Sequence, residues 1–362
     1  MFSHFKKFDW LLSSSAIMMC GFGLLSLYSS SFGRGGDFLN FKKQVIFLGI
    51  SFLFMLLVSF FDYRNFKNNP YLILVFYALC LFSLAGLLLW NHPIRGARSW
   101  YKFGPIAFSP VEFTKIILIV LLAKYFSIRH IEMYRFYHII LSGLYVAIPA
   151  FLVYLQPDLG SVLVLILLWI GVLIVSGIPL RHFLVLAFCA ILLFSFSWMF
   201  LLKGYQKERI ISFATPEYEP LAVGWSQKQA KIAIGNGGLL GRGFGQGSQT
   251  QYGFLSEPQT DFIFSAIAEE FGFLSIFILS LLFLFFFWRV IRIALLTHNN
   301  FSRLFALGVG LIVIVQFFIN IGTNIGFLPV IGIPLPFVSY GGSFLIAIFI
   351  AIGILQNIKI NG

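Results

Sequence analysis

Charge is what this chain has least of. Only 10% of its 362 residues are Asp, Glu, Lys or Arg, the acids number 13, and 59% of residues are hydrophobic; a soluble domain carries about 25% charged and 45–50% apolar residues. With a mean hydropathy of +0.92, this composition excludes an ordinary soluble fold. The chain reads as a polytopic α-helical membrane protein. Cysteine is nearly absent too: Cys20, Cys80 and Cys189 stand singly inside apolar runs, which excludes a disulfide framework and a thiolate metal cluster. Histidine is equally sparse. On the topology derived below, His4, His130, His138, His182 and His298 lie on or near the inner side and only His92 lies outside, which argues against a histidine base or a histidine metal site on the outer face.

What is abundant is long apolar sequence. Requiring roughly 17–25 mostly apolar residues per span, segments near 10–32, 44–61, 70–90, 110–126, 139–155, 159–178, 182–202, 262–288, 304–323 and 343–358 qualify. Ten transmembrane helices put both termini on one side. The first run follows Lys6 and Lys7 as a signal peptide would, but it is too long and lacks a small-x-small cleavage site, so it is expected to stay as the first span. Residues 1–362 are read as one transmembrane domain, with 203–261 as a large extracytoplasmic loop between helices 7 and 8.

The basic residues orient the chain. With the N-terminus cytoplasmic, Lys6, Lys7, Arg64, Lys67, Lys124, Arg129, Arg135, Arg181, Arg289, Arg292, Arg303 and Lys359 fall inside, and the short outer loops carry only Arg34, Lys42, Lys43, Arg95, Arg98 and Lys102. That asymmetry places both ends in the cytoplasm. Much of the net charge of +12 is thereby explained by topology, and a nucleic-acid partner is not required. Trp10, Trp90, Trp198 and Trp288 fall at span ends, as an interfacial belt requires.

The outer side then holds the unusual sequence. "SEPQTDFIFSAIAEE" concentrates Glu257, Asp261, Glu269 and Glu270 at the edge of an apolar run, where acids are costly and often functional. Asp261 can cap the eighth helix or act as a base, and Glu269 and Glu270 can pair with a neighbouring helix. "FSPVEFTKI" sets Glu112 and Lys115 three residues apart on one helix face, able to form an ion pair. "QPDLGS" sets Asp158 at a helix start, where a cap is the simpler role. "IGNGGLLGRGFGQGSQTQYG" has eight glycines, which suits close backbone approach or re-entrant structure, and it lacks the Gly-Lys-Ser/Thr of a phosphate-binding loop. Upstream, Lys207, Arg209, Lys228 and Lys231 lie beside aromatics. A carboxylate, a Glu/Lys wall and a basic loop around an outward cavity suit an anionic lipid-linked substrate such as a sugar pyrophosphate. The carboxylate would take a proton from a sugar hydroxyl, and the basic groups or a bound cation would stabilise the departing pyrophosphate.

The stretches "GARSWYKFGPIAFSPVEFTK", "QPDLGS", "IAIGNGGLLGRGFGQGSQ", "LSEPQTDFIFSAIAEEFGF" and "GIPLPFVSYGGS" resemble, in order and spacing, those of the shape, elongation, division and sporulation (SEDS) family, which contains RodA and FtsW. The resemblance runs from the first span to the last. It implies the ten-helix SEDS fold and inverting peptidoglycan glycosyltransferase activity on lipid II, with a class B penicillin-binding protein transpeptidase as partner. Asp261 falls on the family's essential Asp of T-D-F, Glu112 and Lys115 on its P-S-E-x-x-K, and Asp158 on its Q-P-D. The short tails and "GRGFGQGSQTQYGFL" look more like the elongation branch than the division branch.

Candidate roles follow. Asp261 is the expected catalytic base; Glu112, Lys115, Arg98, Asp158, Glu257, Lys228, Lys231, Arg242 and Gln249 are the expected substrate contacts. A divalent cation, magnesium or manganese, is a candidate cofactor whose identity the sequence leaves open, with Asp261 its candidate ligand. This chain departs from the common family pattern at Ser109-Pro110-Val111-Glu112, which replaces Q-P-S-E. It departs again at Ser256-Glu257-Pro258-Gln259, where proline is displaced and histidine is missing. Both departures touch the supporting contacts. Rival readings are a lipid II flippase, a division polymerase of the FtsW type, and an idle scaffold; no internal repeat of the transporter kind is visible.

Overall fold

The computed structural model describes residues 6–33, 35–89, 99–104, 106–129, 136–202, 204–214 and 223–361. Arg98 lies outside the described residues, as do Arg34, Trp90, His92 and Arg95. Helices stand at all ten expected places: α1 Trp10–Gly33, α2 Leu39–Phe60, α3 Pro70–Leu89, α4 Pro110–Arg129, α5 Phe136–Leu155, α6 Leu159–Val175, α7 Leu180–Phe196, which continues through a π-helical turn to Leu201, then α10 Ile263–Leu296, α11 Asn300–Ile325 and α12 Gly342–Asn361. Eight of them are long and apolar enough to cross a membrane by length and composition. The other two fall short for visible reasons: α6 has 17 residues, and α4 carries Glu112, Lys115, Lys124 and Arg129.

Among its described residues the expected 203–261 loop contains helices, α8 Gly204–Ala214 and α9 Val223–Gly237 among them, and α9 packs against α10 and α11. The enclosed centre is α12, which packs against α2, with α11 meeting α4, α6 and α10 around it. Phe283, Phe286, Phe305, Phe337 and Phe349 are fully enclosed there. α7 buries none of its apolar window. Before α4, Tyr101–Phe103 and Ile106–Phe108 pair as an antiparallel hairpin, and the Tyr101 hydroxyl ties it to the Ser83 carbonyl at 2.7 Å.

The end of the bundle formed by the start of α1 is closed by a buried lock. Asp9 caps α1 by accepting from the Leu12 amide at 3.1 Å, and its carboxylate also takes the Arg289 guanidinium of α10 and, at 3.1 Å, the Lys359 ammonium of α12. Gln356 bonds both the amide and the carbonyl of Asp9, at 2.7 and 2.9 Å. These contacts bind the first, eighth and last expected spans. α10 itself continues past the expected boundary at 288, because a helix keeps its own backbone bonds beyond the apolar window.

Candidate active site

Segment 326–341, between α11 and α12, is the hub of the opposite end. Its polar backbone is pinned from several sides because a chain so poor in water contacts must satisfy every amide internally. At its centre Phe337 has φ 65°, a conformation that a bulky residue adopts only when its surroundings enforce it. The ring is enclosed between Phe286, at 5.1 Å, and Phe349, at 6.3 Å between centroids. The turn it creates lets the Ser339 hydroxyl accept from the Leu335 amide at 2.8 Å and donate to the Thr260 carbonyl at 2.6 Å.

Asp261 is placed by this hub. Three successive carbonyls are held, two by the hub and one by α11: Gln259 by the Tyr340 amide at 2.8 Å, Thr260 by the Ser339 hydroxyl, and Asp261 by the side-chain amides of Asn320 and Asn324, both at 2.9 Å. Asn320 also donates to the Ile333 carbonyl at 2.8 Å, tying the hub to the same point. The Gln259 side chain reaches Ser30 of α1 at 3.0 Å and accepts from Asn40 of α2 at 2.7 Å. The cap position of α10 is Phe262, whose side chain does not cap it. Its half-buried carboxylate faces Gly332, whose φ is 80°; a Cβ there would stand 3.6 Å from Oδ2.

Other expected residues meet the hub. Glu112 and Lys115 form the predicted ion pair, Nζ to Oε1 2.9 Å and to Oε2 2.8 Å, almost enclosed, with Lys115 over the Phe344 ring of α12 at 5.9 Å. The start of α4 is joined to that of α12 by the Ser109 amide on the Ser343 hydroxyl, 3.0 Å. Asp158 caps α6, accepting from the Ser161 amide at 3.0 Å and its hydroxyl at 2.8 Å. Gly160 then lets α6 approach the hub: a Cβ there would stand 3.0 Å from the Ile331 carbonyl. From α9, the Lys231 side chain lies against Gly326, and Gln227 donates to the carbonyls of Thr323 and Leu328 at 2.9 and 2.8 Å. Lys228 is exposed one turn earlier. From α8, Arg209 reaches the Val330 carbonyl at 3.4 Å. Burial pushes the Tyr340 phenol above its ordinary pKa, keeping it neutral.

Arg242 and Gln249 belong to a second cluster. α10 breaks at Gly272 (φ 73°, ψ −173°), and the glycine-rich segment is stitched into the break. The amides of Phe273 and Leu274 donate to the carbonyls of Gly238 and Leu239 at 2.9 and 3.1 Å, while the carbonyls of Glu269 and Glu270 accept from the amides of Arg242 and Gly243 at 2.9 and 3.0 Å. A side chain at Gly237, Gly241 or Gly272 would collide with facing backbone, which is why the glycines are there. The Glu269 carboxylate accepts from the amides of Gln249 and Thr250 at 2.8 and 3.0 Å and from the Thr250 hydroxyl at 2.8 Å. Glu270 takes the Gln251 amide at 2.8 Å. Glu270 also meets the Ser29 side chain of α1, so it pairs with a neighbouring helix as expected, while Glu269 fastens the Ser248–Gln251 turn. Arg242 is exposed on this segment, and Glu257 is half-buried in the turn before Asp261.

Sequence reading missed Asn320, Asn324, Ser339 and Gln259. Two asparagines four apart in an apolar helix share one face, and that was the available signal for the first two. Among the described residues no group of three or more His, Cys, Asp and Glu side chains is placed to hold a metal ion.

A family model described as "Cell cycle protein", covering FtsW, RodA and SpoVE, matches residues 9–362. Stage V sporulation protein E of Bacillus subtilis (strain 168) is 35% identical over 359 residues, 97% of this chain and 96% of that protein. Peptidoglycan glycosyltransferase MrdB of Escherichia coli (strain K12) is 34% identical over 343 residues, 93% and 89% of the two chains. A chain from a solved peptidoglycan synthase complex, described as coordinating polymerisation and crosslinking, superposes with a TM-score of 0.83 at 31% identity and covers 97% of each chain. Relatives of different names are equally similar, so the comparisons do not separate the branches.

Proposed function

The chain belongs to the FtsW/RodA/SpoVE family of multi-pass membrane proteins, and from that premise we propose that it is a peptidoglycan glycosyltransferase that polymerises lipid II at the outer face of the bacterial cytoplasmic membrane. The observation that carries this reading is the pinning of the carbonyls of residues 259–261, which fixes the Asp261 carboxylate beside Gly332. Preorganisation of that kind is what a general base requires.

The acceptor sugar's 4-hydroxyl attacks the anomeric carbon of the lipid-linked muramyl end of the growing chain. The new C–O bond forms as the bond to pyrophosphate breaks, with inversion; the hydroxyl proton passes to Asp261, and the lipid pyrophosphate leaves. Lys231, Lys228 and Arg209 offset the charge developing on the leaving group. The Glu112–Lys115 pair forms one wall. Asp158 shapes another by holding the start of α6. Arg98 and Glu257 remain candidate contacts by family resemblance, and Arg242 and Gln249 act through the glycine segment. A magnesium or manganese ion, if used, would arrive on the pyrophosphate and take Asp261 as its protein carboxylate, since Mg²⁺ is commonly held by one or two carboxylates plus substrate phosphates.

The whole chain acts as one transmembrane domain with both termini cytoplasmic, and the partner is a class B penicillin-binding protein. The elongation role is favoured by the glycine-rich sequence. The test is incubation of the purified protein with lipid II in detergent, with and without that partner, followed by a gel for glycan polymer. Polymer from the wild-type chain supports the proposal; lipid translocation in proteoliposomes without polymer would favour the flippase.

A further inference from the structure

A cavity of about 270 Å³ opens at the end of the bundle away from Asp261, lined by Asp9, Arg289, Arg292, Ile293, Leu296, Thr297, Ile358 and Lys359. Three cations face one carboxylate there. Asp9 takes Arg289 and Lys359 and leaves Arg292 without a described carboxylate partner. Arg289 is only 6% exposed, and its Nε is buried with no hydrogen-bond partner. An orphaned buried donor of a charged group is costly, and here it belongs to a residue that lines an electropositive cavity.

The surroundings are those of a lipid interface. Trp288 is half exposed and carries both guanidiniums, Arg289 at 5.3 Å and Arg292 at 5.6 Å from its ring centroid. On the same helix, toward the bilayer, Leu281 and Leu284 are exposed. Trp at the headgroup level with arginines beside it and aliphatic side chains below is an arrangement that can hold a phosphate while acyl chains lie along the helix.

We infer that this cavity is a binding site for the phosphate of an anionic phospholipid, with Arg292 and Lys359 as its direct contacts and Arg289 behind them. The site is distinct from the proposed polymerase site, from which it is separated by most of the length of α10. Its assignment to the inner leaflet rests on the proposed orientation; the site itself does not.

The test uses the full chain in detergent micelles, which have no sidedness, and reads lipid retention by native mass spectrometry. The probes are phosphatidylglycerol, phosphatidylcholine and inorganic phosphate. Wild-type protein should retain phosphatidylglycerol over phosphatidylcholine, and Arg292→Gln, which breaks no described ion pair, should weaken that retention about fivefold, the effect of one basic residue near a charged surface. Lys42→Gln removes one exposed charge at the other end and should change nothing. Equal retention in Arg292→Gln and wild type, or an equal loss in Lys42→Gln, would overturn the site. Displacement of the lipid by millimolar inorganic phosphate, with the same dependence on Arg292, would reassign it to a free anion and overturn the lipid. Polymerisation activity is not read, so failure here leaves the proposed function untouched.

Discussion

Asp261 and Glu269 lie on either side of the first turns of one helix, and the protein handles the two acids in opposite ways. Glu269 is fully buried and its carboxylate is saturated by the amides and hydroxyl of the Ser248–Gln251 turn. Asp261 is half-buried, and it is its carbonyl, not its carboxylate, that Asn320 and Asn324 hold. The first is an acid used to fasten a loop. The second is an acid whose backbone a loop and two asparagines hold in place, and it is the proposed base. Proximity of acids in the sequence therefore says little about shared function; what separates these two is burial, complete at Glu269 and partial at Asp261, and the anchoring of the Asp261 carbonyl by two asparagines.

The sharpest way to break this comparison is Asp261→Asn. Asn keeps the shape and the backbone carbonyl, so the Asn320 and Asn324 bonds survive and thermal stability should stay within about 0.5 kcal/mol of wild type. It cannot take a hydroxyl proton, and polymerisation should fall by ~10²–10⁴-fold. Near-normal polymer from this variant would put Asp261 in the same structural class as Glu269.

The reverse experiment is Glu269→Ala. It strands buried donors at Gln249 and Thr250 and frees the segment stitched over Gly272, so a loss of about 3 kcal/mol or more is expected. Glu269→Gln keeps one acceptor and should lose less. The measure is the denaturation midpoint in detergent. A Glu269→Ala protein as stable as wild type would mean that the glycine segment is held by its backbone bonds alone.

The Glu112–Lys115 pair lies between these extremes, being almost enclosed and packed against the start of α12. Removing either partner leaves a buried charge and should cost ~3–5 kcal/mol, while Glu112→Leu with Lys115→Met together should recover most of that. Glycan synthesis by the double variant then decides the role. Full activity in a well-folded double variant would reduce the pair to packing and remove the proposed wall.

How much of this was legible beforehand depended on the kind of signal. Spans α1 to α3 and α5 to α7 declare themselves as apolar runs, and the Glu112–Lys115 pair follows from helical spacing, since i and i+3 share a face. The glycine segment announced close backbone approach, and Gly237 and Gly241 meet backbone as that implies. The destination was not legible. Nothing in "AIAEE" says that Glu269 will receive amides from residues about twenty positions upstream, because a carboxylate's partners are set by a tertiary turn. Nor could composition show that the described part of 203–261 holds α8, α9 and a short turn of helix at Ser248–Gln251: α9, for one, is stabilised by docking on α10 and α11. The supporting asparagines were missed because a polar residue inside a span was read against length and hydropathy, not against the backbone it would serve.

A third acid sharpens the comparison at smallest effect. Asp9 is held by cations, where Glu269 is held mainly by neutral donors. Burial acts to raise its pKa, but the Arg289 guanidinium, the Leu12 amide and the Lys359 ammonium outweigh it and hold the carboxyl below its ordinary value of 3.8. A group depressed on folding contributes stability that is fully present above the unfolded pKa and is lost as pH falls through the folded one. The Asp9 contribution should therefore be constant from neutral pH down to about 4 and decline below it, as protonation leaves Arg289 and Lys359 facing a neutral acid. Asp9→Asn removes that titration. Its denaturation midpoint should lie below wild type at neutral pH, and the two curves should converge below the ordinary carboxylate value of 3.8. Curves that stay parallel down to pH 3 would show that the charge on Asp9 does not hold the lock, and that Gln356 and the α1 cap suffice.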